Sequence, residues 1–527
     1  MRACGSTRRE FVGRLAAASV LGGQVAVPEP VQARCRILDY QGKPVAAKEL
    51  DRFHICDFLL RPFPIEPQFS PGEVVFEPAA RPFRISTPLL VPGFGHMYVY
   101  ADNRGSGYTP ESFAKPEPLF LNFEFAADRL ATVRRLAEEC RRSGIEISAA
   151  ALRRTEQAEA LLKKATAARP DQRAAARWSI ESLRESLWAG EMIVIGRAEQ
   201  LIARHGARPG FLFGANAFGF PALGKPYAER FAGLFNYATL PFYLRGVEGV
   251  EGKPDYGVVE KILSWLDGTS IVRKGHPLIF LYPGTTPQWL RGRTYEQAKA
   301  VCLTHIRRSI ARFRGSIHIW DVVNELHHKN VLGFTKEHMI DLTAGALRAA
   351  READPTCFRI VNNCCTWCEY MARSPKIGEQ SVYDYLQMVK DAGTEFEAIG
   401  LQYYYLGRDL LEFERSIETF QGFAKRIHIT ELGLPSSSVE VPTAWPHGVR
   451  FPWHGEHWSE TAQADWIEQF YTLVYSKPYI DAIGWWDVVD PAFIPHGGLL
   501  HEDLRTKEAY LRLQALLAKW RRMEARA

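Results

Sequence analysis

At 527 residues the chain exceeds the roughly 250 to 300 residues at which a single hydrophobic core stops growing, so at least two folded units are expected. With 46% hydrophobic and 24% charged residues, composition excludes a disordered chain and a membrane class. The formal charge of +5 falls to about +3 without residues 1–33, which hold four arginines and two glutamates, and no basic stripe or nucleic-acid reading module is present.

The first 33 residues read as an address. Ser6-Thr7-Arg8-Arg9-Glu10-Phe11-Val12 resembles a twin-arginine signal, a small apolar run follows from Leu15 to Val27, and Val31-Gln32-Ala33 is a loose cleavage end. The expectation is export to the periplasm or beyond. The run is too short and too glycine-rich for a stable membrane span, which needs roughly 20 apolar residues.

Residues 34–123 are rich in Pro, Gly, Phe and Val, with short extended runs such as Gly72 to Glu77 and Met97 to Tyr100, and predict a β-sandwich-like accessory module. Residues 124–206 change to Ala, Arg, Glu and Leu. Leu130, Val133, Leu136, Ala137 and Cys140 recur at helical spacing and Pro170-Asp171 restarts a second run that Gly206 stops, so a helical hairpin linker is predicted.

From residue 207 to 527 short apolar runs alternate with amphipathic helices. Eight strand candidates stand at Phe211 to Ala215, Tyr237 to Pro241, Leu278 to Tyr282, Ile317 to Val323, Arg359 to Asn362, Ala398 to Gln402, Ile427 to Thr430 and Ala482 to Trp485. That rhythm, with no glycine-rich phosphate loop after an early strand, predicts an α/β fold of the (β/α)8 TIM-barrel type.

Of the nine cysteines, Cys364, Cys365 and Cys368 crowd together downstream of Cys357. A structural zinc site usually draws on two separated pairs, so buried thiols or a local disulfide are expected instead.

Two predicted strands end in a glutamate: Ile317 to Val323 runs into Asn324-Glu325, and Arg426-Ile427-His428-Ile429-Thr430 runs into Glu431. Side chains at the C-terminal ends of barrel strands point into the active site. Two carboxyls facing each other there suit glycoside cleavage, in which one donates a proton to the leaving oxygen and the other attacks the sugar carbon. Mutual repulsion and burial would keep one of them protonated. Tyr403, Tyr404, Tyr405, Trp485 and Trp486 crowd the same mouth, with Trp486 and Tyr404 expected to face sugar. The stretch from Pro446-His447 through Trp453-His454 to Trp458 is expected to form a long functional loop.

Trp320-Asp321-Val322-Val323-Asn324-Glu325 and Ile429-Thr430-Glu431-Leu432 resemble the two active-site motifs of glycoside hydrolase family 10, the endo-β-1,4-xylanase family. Gly275-His276-Pro277-Leu278, Gly400-Leu401-Gln402 and Gly484-Trp485-Trp486-Asp487 with Leu499-Leu500 resemble further segments of its barrel. The resemblance implies Glu325 as acid/base, Glu431 as nucleophile, and Asn324 as donor to the sugar 2-hydroxyl. It implies substrate contacts from His276, Arg245, Gln402, Tyr404, Trp485 and Trp486, and a polysaccharide or oligosaccharide substrate, xylan first. Neither a metal nor an organic cofactor is required by this chemistry.

Departures cluster near one end of the implied cleft. Phe242-Tyr243-Leu244-Arg245-Gly246 stands where the family has Asn-x-x-Lys-Trp; Leu281 and Tyr404 stand where it has histidines. A phenol can bond a carboxylate but does not become cationic at neutral pH. Two alternatives therefore stay open: a retaining barrel enzyme for another β-glycan or oligosaccharide, and a carbohydrate-binding barrel without turnover. The sequence leaves oligomeric state open.

Overall fold

The structure, a computed structural model, describes residues 31–372, 376–404, 407–438 and 452–524; the twin-arginine stretch, Tyr405 and residues 439–451 lie outside them. The N-terminal unit has eight short strands: β1 (Ala33–Arg36), β2 (His54–Cys56), β3 (Pro62–Phe63), β4 (Gln68–Ser70), β5 (Glu73–Phe76), β6 (Arg84–Val91), β7 (Gly95–Ala101) and β8 (Leu119–Phe120). They form two four-stranded sheets, ordered β4-β5-β1-β8 and β3-β2-β6-β7. Cys35, Val74 and Phe76 of the first and Ile55, Ile85, Met97 and Val99 of the second meet in one apolar core. Ala33 is already part of this unit, paired with Phe76 and fully buried.

Three helices follow, α1 (Leu121–Arg142), α2 (Ala149–Ala167) and α3 (Gln172–His205). Where the sequence predicts a hairpin of two runs, three helices stand, with Asp171 capping the last, α3. The run before it is broken into a separate α1 because Gly144 turns the chain at φ +64 and Ser148 starts α2 by accepting from the Ala151 N–H. Leu121, Phe125, Ala126, Ile180, Leu183 and Leu187 bury one face of α1 and α3 in the core of the sheets.

Eight parallel strands then close into a barrel: β9 (Leu212–Asn216), β10 (Tyr237–Pro241), β11 (Val272–His276), β12 (Ile319–Asn324), β13 (Phe358–Asn363), β14 (Ala398–Tyr403), β15 (Arg426–Leu432) and β16 (Ile480–Trp485), with β16 returning to pair β9. Seven of the eight expected strands overlap these. The third does not: β11 is Val272–His276, and the apolar Leu278 to Tyr282 lies beyond it with a single bridge, Ile279 to Val323. The charged pair Arg273-Lys274 disguised the true strand. Lys274 points into the barrel, fully buried, and forms an ion pair with Asp321 at 2.9 Å.

The barrel floor is apolar, built from Tyr237, Ile319, Ile360, Ala398 and Ala482. Gly275 has no room for a side chain, since a Cβ there would stand 2.2 Å from the Trp320 ring.

Candidate active site

Strict alternation along a strand sends every second residue inward, and two irregularities break it at the mouth. The β12–β13 register shifts between Asp321 and Val323, so Asp321 and Asn324 both face the interior. A second shift in β14–β15 sets Gln402 opposite Glu431. Thr430 and Glu431 consequently both point inward, while Ile429 and Leu432 pack outward in the main core. Bulges are a recurrent means of re-aiming side chains beside active sites. Glu325 completes the turn out of β12 with φ +56, a left-handed conformation that costs a non-glycine residue on the order of 1–3 kcal/mol. Its N–H donates to the Asn362 carbonyl at 2.9 Å.

The two glutamates share donors. Gln402 Nε2 lies 3.0 Å from Glu325 Oε1 and 3.0 Å from Glu431 Oε1. The nearest oxygens of the pair are thus separated by no more than twice that length, shorter than the roughly 6.5 to 9.5 Å between the carboxyls of inverting glycosidases. Asn362 Nδ2 donates to Glu431 Oε1 at 2.9 Å and to Asn324 Oδ1 at 2.8 Å, and Thr430 holds the Asn362 oxygen at 2.5 Å. Tyr404 donates to the other oxygen, Glu431 Oε2, at 2.7 Å. Asn324 Nδ2 reaches Glu325 Oε1 at 3.3 Å.

Only 8% of Glu325 and 4% of Glu431 is exposed. Burial first, and then the charge of Glu325, push the Glu431 carboxyl up to about 8, with the Tyr404 bond pulling the other way. The pair therefore keeps one proton at neutral pH. Behind Glu431, His276 donates from Nδ1 to Asp321 at 2.6 Å and turns Nε2 to Glu431 Oε1 at 3.8 Å. Burial holds His276 below its ordinary value even beside Asp321, which Lys274 and His276 keep ionised against its own burial. A neutral imidazole with a fixed tautomer results.

An arc of rings borders the pair, running from Tyr282 and Phe280 through Tyr243, Phe218 and Trp486 to Tyr404 and Phe493. Its ends are open to solvent, Tyr282 at 44% and Phe493 at 49% exposure.

Glu325, Glu431, Asn324, His276, Gln402, Tyr404 and Trp486 are thus brought together. Trp485 is not: it is fully buried among the outer-core residues and its indole N–H bonds the Gly497 carbonyl at 3.0 Å. Strand alternation sends it outward because Trp486 points in. Tyr403 is likewise core, against Phe413, Trp367 and Ser416. Arg245 is exposed and bonds the Gly284 carbonyl at 3.2 Å, on a short helix beyond β10 (Leu244–Val247). Trp453 and His454, at the described end of the long loop, are tied to Glu191 of α3 at 3.0 and 2.9 Å. Sequence reasoning missed Asn362 and Tyr243. Asn362 could have been found as a polar residue at the mouth end of β13; Tyr243, whose phenol is strongly raised by burial and then by Glu431 and Glu325, carried no signal beyond its place after β10.

A family profile described as glycosyl hydrolase family 10 matches residues 244–513, slightly more than half of the chain. The chain belongs to glycosyl hydrolase family 10. This family 10 hydrolase is 24% identical over 328 residues to endo-1,4-beta-xylanase B of Thermotoga neapolitana, a match spanning 58% of this chain and 88% of that protein. It is 22% identical to endo-1,4-beta-xylanase C of Paenibacillus barcinonensis, where the match spans 51% of this chain and only 30% of the relative. Among solved structures, xylanase 10B of Thermotoga maritima aligns at 23% identity with a TM-score of 0.48, over 62% of this chain and 98% of that one. Among the described residues no helix is long and apolar enough to cross a membrane.

Proposed function

We propose that this family 10 hydrolase cleaves β-1,4-linked xylan with retention of configuration, Glu431 acting as nucleophile and Glu325 as acid/base. The carrying observation is the single Gln402 nitrogen bonded to both carboxyls, which supports the close spacing that a retaining mechanism uses. In the first step Glu325 gives its proton to the glycosidic oxygen as that bond breaks, and a Glu431 oxygen forms a bond to the anomeric carbon. In the second, water attacks that carbon, Glu325 takes the water's proton, and Glu431 leaves.

Three donors converge on Glu431, from Asn362, Gln402 and Tyr404, against two on Glu325, from Gln402 and Asn324. Hydrogen bonds to the ionised form favour it, and the Tyr404 bond lowers the Glu431 carboxyl against burial and the charge of Glu325, the direction that attack as an anion requires. Asn324 can turn its amide to the sugar 2-hydroxyl, a bond that strengthens as positive charge builds on the ring. The aromatic arc supplies flat apolar faces for successive pyranose rings.

Xylan as substrate rests on the family and on the printed activities of the relatives. A second reading, a different β-glycan or a short oligosaccharide, is favoured by Arg245 standing in place of the family's lysine and by Tyr404 and Leu281 replacing two histidines. Purified protein assayed on xylan, mixed-linkage glucan and mannan separates these, with Glu431→Gln as control. Xylan turnover lost in the variant supports the proposal; preference for another glycan transfers it to the second reading, and sugar binding with no turnover leaves only a binding barrel. Export by the twin-arginine route is part of the same proposal, and replacing Arg8 and Arg9 by lysine is expected to leave the protein in the cytoplasm.

A further inference from the structure

Three side chains the hydrolytic chemistry does not use meet where the N-terminal unit touches the barrel. His54 and Cys56 are alternate residues of β2 and so project from one face of the strand. Cys368 comes from the loop after β13, more than three hundred residues away. One donor atom from each lies within 4.8 Å of the other two, and all three residues are buried. His54 Nδ1 stands 2.9 Å from the Arg52 carbonyl, which can only accept, so Nδ1 carries the proton and Nε2 keeps the lone pair. Imidazoles that ligate metals are held in this way, the second nitrogen donating to a carbonyl or carboxylate.

We propose that His54, Cys56 and Cys368 bind a zinc ion that fastens the N-terminal unit to the barrel loop beside the active site. Two sulfurs and one imidazole suit zinc among the common divalent cations, and a closed, buried setting is that of a structural site. With both thiols deprotonated the centre is neutral, which removes the cost of burying an isolated cation. Glu369 follows Cys368 directly; its Oε1 takes Arg408 at 2.8 Å while its buried Oε2 has no hydrogen-bond partner, which leaves a carboxylate oxygen or a water for the fourth position. A cystine would join two of the three groups and set the imidazole aside; one cation uses all three. The neighbouring cysteines play no part: Cys364 lies against His327 at 4.0 Å and Cys357 donates to the Ala350 carbonyl. Spacing along the chain could not reveal the site, because its ligands come from two folding units.

The test uses the full chain, reduced and stripped of metal, titrated with zinc chloride against a chromophoric chelator. About one equivalent is expected to be held, with affinity at least 100-fold weaker in Cys56→Ser/Cys368→Ser and unchanged in Cys364→Ser. X-ray absorption of the zinc-loaded wild type, which needs no variant to fold, is expected to show sulfur at about 2.3 Å and nitrogen at about 2.0 Å. No uptake by the reduced protein, a shell of nitrogen and oxygen alone, or a Cys56–Cys368 cystine in peptides from the native protein each overturns the site, whatever the hydrolase assays return.

Discussion

As the proposed nucleophile, Glu431 is buried beside another carboxyl and yet has to attack as an anion. Its folded-state value of about 8 lies above the ordinary 4.5, so the folded protein retains a proton that the unfolded chain has released. Stability contributed by this group is complete below about 4.5 and declines as pH rises through about 8. Glu431→Gln escapes that decline. Its melting temperature is expected to exceed that of the wild type by a margin that opens above pH 4.5 and stops widening above about 8; a margin independent of pH would contradict the burial account. Tyr404→Phe removes a donor that lowers the Glu431 value, so the alkaline limb of kcat/KM should move to higher pH. The same change should lower kcat/KM by roughly 10- to 100-fold, the worth of a hydrogen bond to a charged group. A limb that stays in place would mean that the phenol does not govern the pair.

At the scale of elements, the site depends on two register shifts and on β14 lacking a side chain at Gly400. A Cβ there would stand 2.2 Å from Asn362 Oδ1 and 2.8 Å from Thr430 Cγ2. Gly400→Ala should therefore displace Asn362, remove one of the two donors to Glu431 Oε1 and reduce kcat by about 100-fold, since an ångström of misplacement is enough for that. Circular dichroism unchanged and activity unchanged together would sink the argument. Much of this level was legible in the sequence: seven strands, both glutamates and the polar residues beside them follow from apolar runs that end in acids. The third strand was not, because a lysine buried by an ion pair reads as surface until its partner, Asp321, is known to face it. Trp485 and Trp486 could not be told apart, since which of two neighbours points inward is decided by register.

Buried ion pairs cross from the N-terminal segments to the barrel alongside the apolar packing. Arg84 of β6 and Arg129 of α1 both reach Glu412 of the barrel, at 3.6 and 3.4 Å, Arg129 also meets Asp409, and Arg197 of α3 meets Glu414. Burial would raise Glu412, but Arg415, Arg84 and Arg129 outweigh it and hold the carboxyl down at about 2. The stability it contributes is present above the ordinary 4.5 and is lost as pH falls toward 2. Glu412→Gln leaves buried arginines short of a partner and should destabilise the protein by about 3–5 kcal/mol at neutral pH, a deficit that shrinks in acid. A deficit constant from pH 7 to pH 3 would mean that shape, and not charge, makes the interface. Apart from Arg415, three residues from Glu412, these partners could not be paired along the chain, because they join segments hundreds of residues apart.

The most direct test of the catalytic account is to trap the covalent intermediate. Incubation with a 2-deoxy-2-fluoro β-xylobioside bearing a good leaving group, followed by peptide mass spectrometry, should find one added disaccharide per chain, attached to Glu431. Attachment to Glu325, or release of product with inverted configuration and no adduct, would contradict it.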